Sequence, residues 1–100
     1  MYVRFTWDQA KNSSNSKKHA GITFEQASEV FEDPCHVVLE NYFIVEDGEQ
    51  RLQAIGLSQR LLLLLVIFVD RSSKDEIVIH IVSARKAQAY EKAIYEKQFR

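Results

Sequence analysis

Leu61 to Val69 reads LLLLLVIFV, nine apolar residues held between Arg60 and Asp70. A helix that crosses a bilayer needs about 20 such residues, so the run is too short for that role. Length alone still leaves a buried helical segment open. The second half, Val66-Ile67-Phe68-Val69, is β-branched and aromatic, which favours a strand. A strand that does not alternate polar with apolar residues has to hide both faces. The run therefore predicts the central strand of a sheet, covered on each side by helices or by a partner chain. Unpaired, it would aggregate, and the charges at its two ends act as gatekeepers.

On the N-terminal side, Tyr2 to Phe5 (YVRF) alternates and predicts a short edge strand. Asp8 is a suitable N-cap for a helix running to about His19, with Asp8, Lys11, Asn15, Lys18 and His19 on one face. Ala10 is its only interior apolar residue, so Phe5 and Trp7 are expected to pin it. Ala20-Gly21 ends that helix. Thr23 and Gln26 then have capping-box spacing, with Ile22 at the staple position, and Phe24, Ala27, Val30 and Phe31 form a buried stripe that stops at Asp33-Pro34. Val37 to Val45 is β-rich, Asp47-Gly48 signals a hairpin, and Arg51 to Leu57 returns with Arg51, Gln53 and Ile55 on one face. Gly56 to Gln59 turns into the apolar run, Asp70 to Glu76 is a polar turn, and Ile77 to Val82 is another strand. Ser83 is expected to cap a final helix from about Ala84 to Gln98, with Ala87, Tyr90, Ala93 and Ile94 inward. The order predicts one α+β domain over residues 1–100: a short strand, two helices, an antiparallel sheet of three to four further strands and a C-terminal helix.

The chain has 100 residues, enough for one modest core without disulfides or metal. Met1 is not followed by a signal-peptide pattern, and the single Cys35 fits a reducing cytoplasm. A net charge of −1 conceals segregation: residues 22–50 hold eight carboxylates and no Lys or Arg, between two segments of net positive charge. The pattern suits an anion-binding face plus an acidic face for a basic partner, or equally three solvated surfaces.

No Gly-rich phosphate loop, G-x-S-x-G or H-E-x-x-H is present, and Cys35-His36 has no companion ligands at metal-site spacing. No cofactor is expected. Cys35 follows a helix-ending proline and is expected to pack. His19 closes a helix beside Lys18, and histidine is the side chain suited to proton transfer near neutrality. His80 is expected to point off the sheet. Arg51 and Arg85 carry the fixed fork that suits phosphate oxygens, or they pair with carboxylates such as Glu49 and Glu91.

Two motif halves carry a family resemblance. The first is Phe5-x-Trp7-Asp8-x-x-Lys11-x-x-x-Asn15-x-x-Lys18-His19, then Gly21-Ile22-x-Phe24-Glu25-x-Ala27 and Val30-Phe31-x-Asp33-Pro34. The second is Glu49-x-Arg51-x-x-x-Ile55-Gly56-x-Ser58, then Ile81-Val82-Ser83-Ala84-Arg85 leading to Tyr90-Glu91 and Tyr95-Glu96. Together they resemble BrnT, the ribonuclease toxin family of type II toxin–antitoxin systems. The resemblance implies a RelE-like fold and inhibition of translation by RNA cleavage. It also implies neutralisation by a BrnA-like ribbon-helix-helix antitoxin, two toxins with two antitoxins, which binds operator DNA. A metal-independent reaction fits, in which the RNA 2′-hydroxyl attacks the neighbouring phosphorus. His19 or Glu49 would move the proton, and Lys18, Arg51 and Arg85 would stabilise the charge. The alternative class is a non-catalytic interaction protein that acts only in an autoregulatory complex. Two positions depart from the family pattern: Ala20 is inserted before Gly21, and His80 stands where the pattern has arginine.

Overall fold

A computed structural model describes residues 3–46 and 48–100. The chain runs β1 (Val3–Thr6), α1 (Gln9–Lys18), α2 (Phe24–Glu29), a 3₁₀ turn (Val30–Glu32), β2 (Val37–Glu46), β3 (Glu49–Leu57), β4 (Leu63–Asp70), β5 (Ile77–Lys86) and α3 (Ala89–Lys97). Tyr2 and Asp47, which belong to the predicted edge strand and hairpin, lie outside the described residues. The sheet order is β1-β5-β4-β3-β2, so the apolar run does supply the central strand. Among the described residues no helix is long and apolar enough to cross a membrane.

The expected antiparallel sheet needs one correction. β2 to β5 are antiparallel to their neighbours, but β1 lies parallel to β5, with Phe5 opposite Ile79 and Thr6 opposite His80. Five mixed strands result. The parallel pairing is possible because two helices and the antiparallel strands intervene, giving the long crossover that parallel neighbours require.

The two faces of β4 meet different partners. Leu64, Val66 and Phe68 join Phe24, Ala27 and Val30 in the larger core, beneath α2 and the 3₁₀ turn. Leu65 joins Ile55 and Tyr95 in a smaller core beneath α3. Gly56 permits the close approach on the α2 side, since a Cβ there would lie 2.8 Å from Val30 Cγ1 and 2.9 Å from His36 Cβ.

α2 begins as its sequence predicts. Thr23 Oγ1 accepts from Gln26 N–H, and the Gln26 side chain accepts from Thr23 N–H. Asp33 fastens the end of this segment: its carboxylate accepts from Cys35 N–H (2.8 Å), Leu57 N–H (2.9 Å) and the Tyr95 hydroxyl (2.7 Å).

Two boundaries differ from expectation. Leu61 and Leu62 belong to the β3–β4 turn rather than to the strand: Leu61 N–H donates to Ser58 O, Leu61 has φ 62° and it is 76% exposed. The hairpin must reverse between Leu57 and Leu63, which pair, and that reversal takes the first two leucines. At the other end Ser83 caps no helix, because β5 continues through Lys86 and pairs Ala84 with Val66. α3 starts after Gln88, in a capping box with Glu91. Its buried residues are Glu91 and Tyr95; of the residues predicted inward, Ile94 packs on the smaller core, whereas Tyr90 and Ala93 are exposed.

Candidate functional site

α1 packs along β5 where β1 has ended, and two asparagines hold it there. Asn15 Nδ2 donates to Ala84 O (2.8 Å) and Ile22 O (3.0 Å), while Asn15 Oδ1 accepts from Ala84 N–H (3.1 Å). The amide therefore pairs with Ala84 much as a neighbouring strand would. Asn12 Oδ1 accepts from Phe24 N–H (2.8 Å), and its Nδ2 donates to Glu25 (2.9 Å). Both asparagines are buried. Asp8 caps the helix by accepting from Ala10 and Lys11 N–H.

With its inward face fixed by amides, α1 presents Lys11, Ser14 and Lys18 at successive turns. These residues, with Asn15, His19, Val82 and Ser83, line an open cavity of about 280 Å³ that contains no carboxylate. Beyond the helix end a second cavity of about 250 Å³ joins Lys18 and His19 to Ile22, Arg85 and Lys86. Lys18, His19 and Arg85 are thus brought together.

Arg51 and Glu49 lie elsewhere. The register Arg51–Val69–His80–Thr6 runs across four strands and puts Arg51 and His80 on one face, two strands apart, or about 10 Å. Glu49 forms a two-pronged pair with Arg71, both oxygens accepting at 2.8 Å. That pairing holds the Glu49 carboxyl below its usual range. His80 Nδ1 is 2.8 Å from Thr6 Oγ1. Burial, then Arg71, Lys11 and Arg51, push the His80 imidazole below the ordinary histidine value, against the opposing pull of Glu49. Lys11 links the two groups, since it lines the α1–β5 cavity and also acts on His80.

Arg85 has the partner that its alternative reading anticipates. Its two terminal nitrogens donate to the two oxygens of Glu91 at 2.8 Å, and one also reaches Lys86 O. Glu91 is 0% exposed. Burial pushes its carboxyl up, but Arg85 and the Gln88 N–H outweigh it and leave it below the usual range. The fork of Arg85 is committed to this pair. Among the described residues no group of three or more His, Cys, Asp or Glu is placed to hold a metal ion.

Sequence reading overlooked the asparagine clamp, Arg71 and the His80–Thr6 pair. Two asparagines three residues apart on a helix almost without apolar residues were the available signal for the clamp. Arg71 and Thr6 carried none, because their roles depend on strand register.

The profile of the family described as ribonuclease toxin, BrnT, of type II toxin–antitoxin system matches residues 7–91. The chain belongs to the BrnT family. The crystal structure of the Brucella abortus ribonuclease toxin, BrnT, shares the fold with TM-score 0.50, at 24% identity, over 87% of this chain and 99% of that one. No curated protein matches. The matched span runs from Trp7 to Glu91, so it takes in both the BrnT α1–β5 cavity and the Arg85–Glu91 pair.

Proposed function

We propose that this chain is a metal-independent endoribonuclease, the cytoplasmic toxin of a type II pair, with the RelE-like fold that the resemblance implies. The observation that carries the reading is the α1–β5 cavity: two lysines and a histidine line it and no carboxylate does, in a chain of net charge −1. Lys11 and Lys18 lie seven residues apart on one helix face, about 10 Å, and would bind successive backbone phosphates of a single RNA strand. Arg51 extends the positive surface at one end and Lys86 at the other, while Arg85 beside Lys86 stays paired with Glu91. Cations placed where a pentacoordinate phosphorane gathers charge lower the barrier to attack by the 2′-hydroxyl. Proton transfer falls to a titratable side chain of the same face, and the sequence offers His19 and Glu49.

The partner would be a BrnA-like ribbon-helix-helix antitoxin, two copies with two toxins, and contact with operator DNA would run through the antitoxin. The outer side of α2 and the 3₁₀ turn carries Glu25, Glu29 and Glu32. It suits a basic partner, with antitoxin affinity falling as salt rises. Part of that charge is used within the chain, since Glu29 accepts from Gln59 N–H and Glu32 from the Gln59 side chain.

Expression of the chain alone in bacteria tests the reading. Growth arrest with RNA loss is expected, and the purified chain should cleave RNA in EDTA to leave a 2′,3′-cyclic phosphate. Silent accumulation would favour a non-catalytic partner in an autoregulatory complex. Cleavage that stops in EDTA and returns with a divalent metal would overturn metal independence.

A further inference from the structure

We propose that His80 is a catalytic residue, its Nε2 accepting the 2′-hydroxyl proton of RNA laid along β5. The inference rests on the ribonuclease reading and names a proton acceptor that neither His19 nor Glu49 matches in geometry. Glu49 is engaged through both oxygens by Arg71. His19 closes α1, its N–H bonded to Asn15 O, and no side chain among the described residues hydrogen-bonds its ring.

His80 is held differently. Thr6 Oγ1, on the adjacent parallel strand, sits 2.8 Å from Nδ1 and fixes the ring plane. In the tautomer with Nδ1–H donating to Thr6, Nε2 carries the lone pair, and among the described residues nothing hydrogen-bonds it. The ring is half-buried in the sheet face. Charged groups act on it from three places around the sheet face: Lys11 of α1, Arg51 and Glu49 of β3, and Arg71 of the β4–β5 turn. Lys11 and Arg51 add positive charge that would hold a phosphate beside a base that is itself uncharged, whereas Arg71 is paired with Glu49. The depressed titration of His80 agrees with that arrangement but does not carry it. Ser83, which lines the α1–β5 cavity, lies three residues along β5, roughly 10 Å away. An RNA strand seated on Lys18 and Lys11 would therefore leave the cavity at His80.

In the step proposed, Nε2 takes the proton from O2′ as the O2′–P bond forms and the P–O5′ bond breaks. The departing 5′ oxygen takes a proton from water, and His80 returns its own proton to solvent. Thr6 is a positioning residue.

The test is single-turnover cleavage of an RNA oligonucleotide from pH 5 to 9, beside binding of its 2′-deoxy analogue and a thermal melt. The wild-type rate should rise with pH along an acid limb centred below 6.5, the ordinary histidine value. His80→Arg keeps a cation but no proton acceptor. It should bind the analogue within about threefold of wild type, lose the acid limb and slow by about 10²–10⁴-fold. His80→Gln is the second variant in case arginine does not fit the sheet face, with the same loss expected. Thr6→Val should displace the limb and slow cleavage less. If either His80 variant melts as wild type and cleaves at its rate, or keeps the limb, the assignment fails while the ribonuclease reading stands. If wild type leaves RNA intact, that reading fails and this one with it.

Discussion

α1 and α2 follow each other in sequence and dock by opposite means. α2 buries an apolar stripe of Phe24 and Ala27, continued by Val30, and would be recognised as a core helix in any sequence. α1 buries two asparagines and satisfies them with main-chain groups of α2, β5 and the intervening loop and with the Glu25 carboxylate. A helix docked by apolar area has to give one whole face to the core. A helix docked by two amides gives up only those positions, which leaves Lys11, Ser14 and Lys18 for a ligand. Directional anchoring also sets how α1 is rotated, because an amide misplaced by an ångström loses its bonds, whereas an apolar contact only loosens.

Phe24→Ala should have the largest effect, a loss of about 3–5 kcal/mol in urea denaturation, because the ring is fully buried and leaves a cavity. Asn15→Ala should cost roughly 2–3 kcal/mol by stranding the Ala84 N–H and the carbonyls of Ala84 and Ile22. A cost near zero would mean that α1 is held by something other than its amides.

Acid should separate the two helices next. The folded-state titrations of Asp33 and Glu91 lie below the ordinary 3.8 and 4.5. For Asp33 burial acts upward but the Leu57, Tyr95 and Cys35 donors prevail, and for Glu91 the Arg85 pair prevails in the same way. The unfolded chain therefore takes up those protons first. Their stabilisation is complete above the ordinary values and disappears as pH falls through the lowered ones. The Asn15 clamp on Ala84 and Ile22 holds no titratable group. Hydrogen exchange below pH 4 should thus show the 3₁₀ turn before Asp33 and the start of α3 opening before the Asn15 end of α1. Simultaneous opening would refute the distinction.

The smallest expected effect lies at the end of α1. Ala20 has φ 54°, and Gly21 N–H donates to Ser16 O, so the helix ends in a Schellman-type turn whose left-handed position holds alanine. Ala20→Gly should raise stability by roughly 0.5–1 kcal/mol. A melt that falls would show that this residue has a packing role.

What the sequence disclosed follows the same division. The staple, capping box and stripe of α2 are local, spaced by helix geometry, and each reappears at the residue predicted. The apolar run announces a doubly covered strand because its composition alone requires it. Asp8 marks the start of α1, but its anchor was not legible: the Ala84 groups that Asn15 bonds lie 69 residues away, and pattern carries no register between distant segments. The same gap misplaced the last helix. Ser83 and Ala84 look like a cap and first turn until Val66 and Asn15 claim Ala84 for the sheet. The predicted inward face of α3 chose tyrosine and alanine over a glutamate, since a fully buried carboxylate is improbable without knowledge of its arginine. Of the candidate site residues, Lys18, His19 and Arg85 meet across one end of α1. Glu49 and Arg51 belong to the neighbouring row, which only strand pairing reveals.

The parallel pairing of β1 with β5 has a consequence during synthesis. Thr6 and His80 are separated by 74 residues, so the first strand to leave the ribosome waits for the last. At translation speeds of about 5–20 residues per second, that delay is roughly 4–15 s. Until it ends, Lys11 and Lys18 have no β5 to face, and the cationic cavity does not exist. Whatever binds that cavity can do so only once the chain is nearly complete.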